Sequence, residues 1–400
     1  MRPASRGTPA RRVPGMRLAP FRCHSQGRIT RMNPPKAIGI AGMACAIIAL
    51  GSVQPATAEA KPRFGDVQKA LTALAKNSGI VGAIGELYVD GRKVDGGTAG
   101  SKLLDGKGGK IPENARYRIG SQGKYMTATV ALQLVEEDKL DLDDKLSEVL
   151  PIVAEQDLVE LAGEITIRHL VQQTSGIPSG LVDIFDFTTN YSPVDLVKKT
   201  RDLPRTGKPG EKYHYSNTNF ILLGMIIEEI TGNPPTEEFK QRIFDPLKMT
   251  RTYGTTKPPE GIKGPHGHGY ARDDEGKLRD MDRLNASYGA GTGGVVSTAR
   301  DMSRFFSAFE KDKLLPDDLQ QVWDATPPGK PEAPPPAERV CGNEPPMRVV
   351  GGAAAGFNAM TFSTLDGRVQ FAVSTTLTVN PQAPISIIQQ AAEAVLCPKQ

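Results

Sequence analysis

Ser121 and Lys124 stand three positions apart in Arg118-Ile-Gly-Ser-Gln-Gly-Lys124, and residues of these types at this spacing can transfer an acyl group. On a helix, positions i and i+3 share a face, so the lysine amine can reach the serine hydroxyl. If Ser121 opens the helix, the positively polarised N-terminus disfavours the ammonium form of Lys124 and favours a developing alkoxide. A partly buried lysine in that field serves as a general base, and the serine then forms an acyl-enzyme. Chance also supplies such a pair in a chain of this composition, in which case Ser121 is a helix cap and Lys124 a solvated side chain. Two other clusters are expected to be inert. His266-Gly-His268 has no third ligand at a usable spacing and is read as a surface loop with no metal. Gly106-Lys-Gly-Gly-Lys110 is a turn, because Ile111 stands where a phosphate loop needs Ser or Thr. No cofactor is called for.

The elements that must position Ser121 are legible in outline. Phe64 to Lys76 is patterned as an amphipathic helix, and Ile80 to Val89 as a strand that turns at Asp90-Gly91 into a second. After Ser121, Met126, Val130 and Leu134 recur every four residues with Ala131 and Val135 beside them, which predicts a helix buried on one face. Ile165 to Gln173 is a shorter helix. Asn219 to Thr231, stopped by Gly232, is a strong one. Met360 to Leu365 and Val369 to Thr376 are strands joined by Asp366-Gly367, and Pro384 to Leu396 is a closing helix. Strands at both ends around a helical middle predict one mixed sheet with a helical insertion. Thr326 to Arg339 is Pro-rich and is expected to be an exposed loop.

The chain has 400 residues, 38% hydrophobic and 24% charged, which is ordinary globular composition. Its basic character is confined to the start. Nine positive charges and no acidic residue lie in residues 1–58, so the net charge of +4 becomes −5 for residues 59–400. No clustered basic face for nucleic acid is expected. Lys36, the apolar run Ala37 to Val53 and Ala56-Thr57-Ala58 form a secretory signal pattern, cleaved after Ala58 or Ala60, with an uncleaved membrane anchor as the alternative. Met32 would start a signal of normal length. Residues 1–31 are then a long basic leader or upstream sequence. A secreted or cell-wall location is the resulting expectation, with residues 59–400 as the folded domain. Cys23 and Cys45 leave with the leader, and in an oxidising compartment Cys341 and Cys397 are expected to pair.

Several segments together resemble the serine β-lactamase and D-Ala-D-Ala carboxypeptidase superfamily, in its class C-like branch. They are Arg118 to Lys124, His169-Leu-Val-Gln-Gln-Thr-Ser-Gly176, Tyr215-Ser-Asn217, Pro246-Leu-Lys-Met249 and Gly293-Gly-Val-Val-Ser-Thr298, in the family's order across residues 64–396. The resemblance implies an α/β fold of the α+β type: a mostly antiparallel central sheet flanked by helices, with a helical subdomain at roughly 138–285. It implies Ser121 as nucleophile, with Lys124 and Tyr215 handling protons, the phenolate of Tyr215 being stabilised by the nearby ammonium. Asn217, Gln122, Gly352 and Phe357 would bind substrate, with the Asn217 amide also reaching Lys124. The oxyanion would be held by the Ser121 N–H and one from a strand near Phe357 to Met360.

One motif departs from the pattern. The basic residue or His that family members place before a small residue and Gly falls on Val350 here, ahead of Gly356-Phe357. That group holds the substrate's carboxylate, so its loss weakens the case for cleaving C-terminal D-Ala or β-lactams. Arg348, two positions upstream, shares the Val350 face of a strand. The resulting expectation is a secreted serine hydrolase acting on a D-alanyl peptide of peptidoglycan origin, a lactam or another amide. The alternatives are an esterase and an inactive wall-binding relative.

Overall fold

Asp66 begins the described fold by accepting a hydrogen bond from the Lys69 N–H and capping helix α1 (Val67–Leu74). The computed structural model describes residues 64–180, 185–186, 188–255, 261–330, 340–378 and 385–397. The leader, the signal pattern, Cys23, Cys45 and residues 331–339 of the Pro-rich stretch lie outside them. Lys61–Gln400 forms one compact unit. Among the described residues no helix is long and apolar enough to cross a membrane.

The first hairpin is strands β1 (Ile80–Val89) and β2 (Arg92–Gly100), and Tyr117–Arg118 forms the short β3. Helix α2 (Gly123–Glu136) comes after it. Short helices α3 (Leu146–Val149), α4 (Ile152–Glu155), α5 (Ile167–Val171) and α6 (Pro193–Lys198) lead to the long α7 (Asn217–Thr231) and to α8 (Pro235–Phe239). Strands β4 (Tyr253–Gly254), β5 (Tyr270–Arg272), β6 (Leu278–Asp280) and β7 (Val295–Ser297) come next. Within the span 138–285 expected to form a helical subdomain, the helices end at Phe244, where a π-helical turn (Lys240–Phe244) continues α8. Beyond it, Gly- and Pro-rich sequence forms turns and short strand pairs.

Helices α9 (Ala299–Phe309) and α10 (Asp317–Asp324) precede β8 (Met347–Ala354), β9 (Phe357–Thr364), β10 (Val369–Leu377) and the closing α11 (Ile385–Leu396). The main sheet has the order β2-β1-β10-β9-β8, antiparallel throughout, so chain start and chain end meet where β1 pairs with β10. One face is covered by α1 and α11, whose Leu71, Leu74, Ile388 and Val395 pack on Leu87, Phe362 and Phe371. The other is covered by α9 and by the larger core around α2 and α7. Sheet strands enclosed on both sides lose the alternation of a half-exposed strand, and every residue of β9 is buried.

The same enclosure changes α2. Ten of its fourteen residues are buried, Lys124 among them, so the one-face expectation fails: α2 runs through the interior between α7, α9 and the sheet. Cys341 and Cys397 are joined by a disulfide with Cα atoms 5.3 Å apart, which fastens the end of α11 to the turn before β8.

Candidate active site

Ser121 lies in a single tight turn, Gly120–Gln122, that runs straight into α2. Gly120 has φ +54°, and a Cβ there would come within 2.5 Å of the Ala353 backbone nitrogen and 2.6 Å of its carbonyl oxygen. Gly352 is equally constrained, since a Cβ on it would overlap the Ile119 carbonyl. Two glycines thus let the free edge of β8 lie against the turn that carries the nucleophile.

This packing corrects the expected oxyanion donor. A strand residue sends its N–H and C=O to the same side, and both Ala353 groups face Gly120, so they lie on the outer edge of β8. The backbone of 357–360 lies one strand further in and pairs with β8 and β10, although Asn358 and Met360 reach the cavity with their side chains. The second donor available beside the Ser121 N–H is therefore Ala353 N–H.

The proton-handling groups converge as the spacing predicts. Lys124 Nζ is 3.1 Å from Ser121 Oγ and donates also to the Thr292 carbonyl at 3.4 Å. The Tyr215 hydroxyl is 2.8 Å from Ser121 Oγ, and Lys124 Nζ sits 5.0 Å from the centre of the Tyr215 ring and 5.8 Å from that of Phe220. Burial pulls the Lys124 pKa from 10.5 down to about 7. Half of such lysines are neutral near pH 7, and a neutral amine can take the Ser121 proton. Tyr215 behaves otherwise than expected. Burial raises its phenol, outweighing the lowering hydrogen bond from Ser121, so it is held as a neutral phenol and not a phenolate.

Other recognised motifs hold these groups in place. Gln173, in the 169–176 segment, accepts at Oε1 from the Ser216 N–H at 2.9 Å and from Asn219 Nδ2 at 2.6 Å, fixing the entry to α7 beside Tyr215. Gly293 packs on the Gly120 backbone, where a Cβ would meet the Gly120 carbonyl carbon at 2.9 Å, and this brings the Thr292 carbonyl to Lys124. Both segments stand out as motifs in the sequence, but neither motif assigns a role to Gln173 or Thr292.

The expected substrate contacts divide. Asn217 and Gly352 line the cavity beside Ser121, but the Asn217 amide donates to Ser179 Oγ at 3.2 Å and does not reach Lys124. Gln122 turns away from the cleft and is wholly buried, its Oε1 accepting from Thr361 Oγ1 at 2.7 Å. Phe357 is wholly buried in a small core with Ile262, Met281 and Val296, so it supports the wall from behind. Val350 is buried, and Arg348 is held by carboxylates. Its guanidinium makes four hydrogen bonds, two to Glu310 at 2.6 and 3.2 Å and two to Asp324 at 2.6 and 3.0 Å. Only five N–H groups exist on a guanidinium, so little is left for a substrate.

The cleft has two lobes that meet at Ser121, Lys124 and Tyr215. The larger, about 630 Å³, is walled by Leu196, Ile221, Tyr288, Met360 and Ile385 with Asn217 at its side. The smaller, about 400 Å³, runs past Tyr213 and Trp323 to Lys330. A serine, a buried neutral-capable amine, a phenol relay and two convergent backbone donors amount to an acyl-transfer centre.

A Beta-lactamase family model matches residues 67–396. The chain belongs to the Beta-lactamase family. A D-stereospecific amidohydrolase from Streptomyces sp. has the same fold, with TM-score 0.71 and 29% identity over 84% of this chain and 98% of that one. D-amino acid amidase from Ochrobactrum anthropi matches in fold at TM-score 0.69 and 19% identity, over 82% and 96% of the two chains. Penicillin-binding protein 4 of Amycolatopsis lactamdurans is 30% identical over 258 residues, 62% of this chain and 65% of its own length. Protein flp of Staphylococcus aureus is 33% identical over 153 residues, 36% of this chain and 29% of its own length. The chain thus spans less than two thirds of the length of these curated relatives. This Beta-lactamase family member has the fold of serine amide hydrolases, in agreement with the architecture expected from its motifs.

Proposed function

We propose that this chain is a serine amidohydrolase that acylates Ser121 with the acyl part of a D-configured amino-acid amide or short peptide and releases it to water. Neutral Lys124 takes the hydroxyl proton as Ser121 attacks. The Ser121 and Ala353 N–H groups hold the oxyanion, and Tyr215 passes a proton to the departing nitrogen. An activated water repeats the sequence in reverse to free Ser121. The observation that carries the choice of substrate is the state of β8: Val350 carries no charge, and four of the five Arg348 N–H groups are taken by Glu310 and Asp324, so β8 offers no free cation to anchor a C-terminal carboxylate. An amide needs no such anchor, and the apolar larger lobe suits an uncharged side chain. The D-stereospecific amidohydrolase at 29% identity supports the configuration.

A second reading, the carboxypeptidase, rests on Lys330. It lines the smaller lobe, with Nζ 2.9 Å from the Ala325 carbonyl, and is a cation that could hold a carboxylate there. The disulfide supports export, because such bonds persist in oxidising compartments, where wall-derived peptides are met.

One comparison of substrates separates these readings. D-Phe amide, L-Phe amide, a D-Ala-D-Ala peptide and a p-nitrophenyl acyl ester are each incubated with the protein, and products and the intact mass of Ser121 adducts are measured. Amide release from the D isomer well above the L isomer, with slow release of D-Ala, is expected. Preferred D-Ala release that disappears in Lys330→Ala moves the assignment to the carboxypeptidase, and turnover of the ester alone moves it to an esterase. A chain that releases no product and takes no adduct from any of the four is not a hydrolase.

A further inference from the structure

The two histidines expected in an inert loop have a third partner that their spacing does not show. His266 and His268 stack, ring centres 5.1 Å apart, in the extended run that enters β5, and i and i+2 in such a run put both rings on one face. Asp282 arrives from the far end of the β5–β6 hairpin. One ligand atom from each of His266, His268 and Asp282 lies within 4.8 Å of those of the other two.

The hydrogen bonds decide which ring nitrogens are free. His266 Nδ1 is 2.6 Å from the Gly264 carbonyl oxygen, which only accepts, so Nδ1 carries the proton. His268 Nδ1 is 2.7 Å from Asp280 Oδ2, and that carboxylate fixes the same tautomer. Both Nε2 atoms are then lone pairs. His266 Nε2 is buried and stands 3.0 Å from Asp282 Oδ1, also an acceptor. Two acceptors this close need a positive species between or beside them: a second proton on His266 or a metal cation. A histidine whose far nitrogen is bound to a carboxylate or carbonyl is the usual orientation of a metal-bound imidazole, and here both rings have it.

We propose that His266 Nε2, His268 Nε2 and the Asp282 carboxylate bind one divalent transition-metal ion of the zinc class. Two imidazoles and a carboxylate with an open fourth position suit that ion. Bonds of about 2.0–2.1 Å set donors roughly 3.3 Å apart, so ligand atoms that now lie within 4.8 Å of one another draw in by at most about 1.5 Å on binding. The ion clamps the base of the β5–β6 hairpin. Arg118 Nη2 donates to the Asp282 carbonyl at 2.8 Å, so the clamp is tied to β3, the strand that leads to Ser121.

The test uses the full chain after chelator treatment and dialysis, titrated with ZnCl₂ by calorimetry and, in parallel, with CoCl₂ by visible absorption. One saturable equivalent per chain, a tetrahedral cobalt spectrum, and a thermal midpoint raised by about 5 °C at hundredfold saturation are expected. His268→Ala should remove the site at least tenfold in affinity, and His214→Ala, an exposed histidine elsewhere, should leave it unchanged. Should zinc fail to bind saturably, or should binding survive His268→Ala, the site is not there and His266 carries a second proton instead.

Discussion

Lys124, buried, and Arg348, half-buried, are two cations that line the same cleft, and they meet opposite fates. Lys124 has Ser121 Oγ and the Thr292 carbonyl as partners, both uncharged, and burial alone draws its pKa to about 7. Burial also opposes the charge on Arg348, but Asp324 and Glu310 outweigh it, and its pKa is raised. A counter-charge makes a buried cation a structural tie. Its absence makes one a base that can be emptied at neutral pH.

The largest expected effect breaks the first half of that contrast. Lys124→Ala should lower the rate of Ser121 acylation by about 10³-fold or more, read by intact mass over time, with an unchanged circular dichroism spectrum. Lys124→Arg should not restore it, because a guanidinium cannot be emptied. Retained activity in either variant would remove Lys124 as base. The second half is broken by Arg348→Met, which leaves Glu310 without its partner in the core. A loss of about 3 kcal/mol in urea unfolding is expected, while acylation per folded molecule stays near wild type. If activity collapses with stability intact, Arg348 handles substrate after all.

Tyr215→Phe sharpens the contrast by testing the relay between the two sides. Amide turnover should fall about 10²-fold, and a p-nitrophenyl ester, whose leaving group needs no proton, should lose far less. Equal losses would mean that Tyr215 serves the attack step. The smallest effect is in pH. Acylation should fall about tenfold per unit below pH 7 as Lys124 gains its proton, a limb absent where Lys124 is not the base. Stability carries the same signature. The folded pKa lies below the unfolded one, so the unfolded chain binds more protons between about 7 and 10.5, and stability from this group is complete above that window and lost as pH falls through it. Lys124→Met should flatten that slope in pH-dependent unfolding.

How far the sequence reaches depends on the range of the interaction. The first and last hairpins are readable because Asp90-Gly91 and Asp366-Gly367 mark turns between apolar runs, and the Ser121, Lys124 and Tyr215 cluster is readable from short motifs. Helix α9 is missing from the expected elements although it carries a local signal: Thr298 accepts from the Asp301 N–H as N-cap, and Met302, Phe305, Phe306 and Phe309 form one face. Helix α10 is missing with it. The orientation of Gln122 is not readable, since it is set by Thr361, 239 residues away. The same holds for Ala353, which faces Gly120 only because an edge strand lies against a turn far from it in sequence. Asp282 joins His266 and His268 through a hairpin that no spacing rule encodes.

The Cys341–Cys397 bond closes a ring around β8, β9, β10 and α11, so one wall of the cleft is a covalent macrocycle, whereas the facing wall, built on α2 and α7, is held by packing and hydrogen bonds. Closing a ring of this size disfavours the open chain by about 4 kcal/mol. Where thiols are kept reduced that contribution is missing, and Val349, Gly352 and Ile385 frame the cleft without their latch. The oxidation state of two cysteines is thereby a term in the stability of one cleft wall and not of the other.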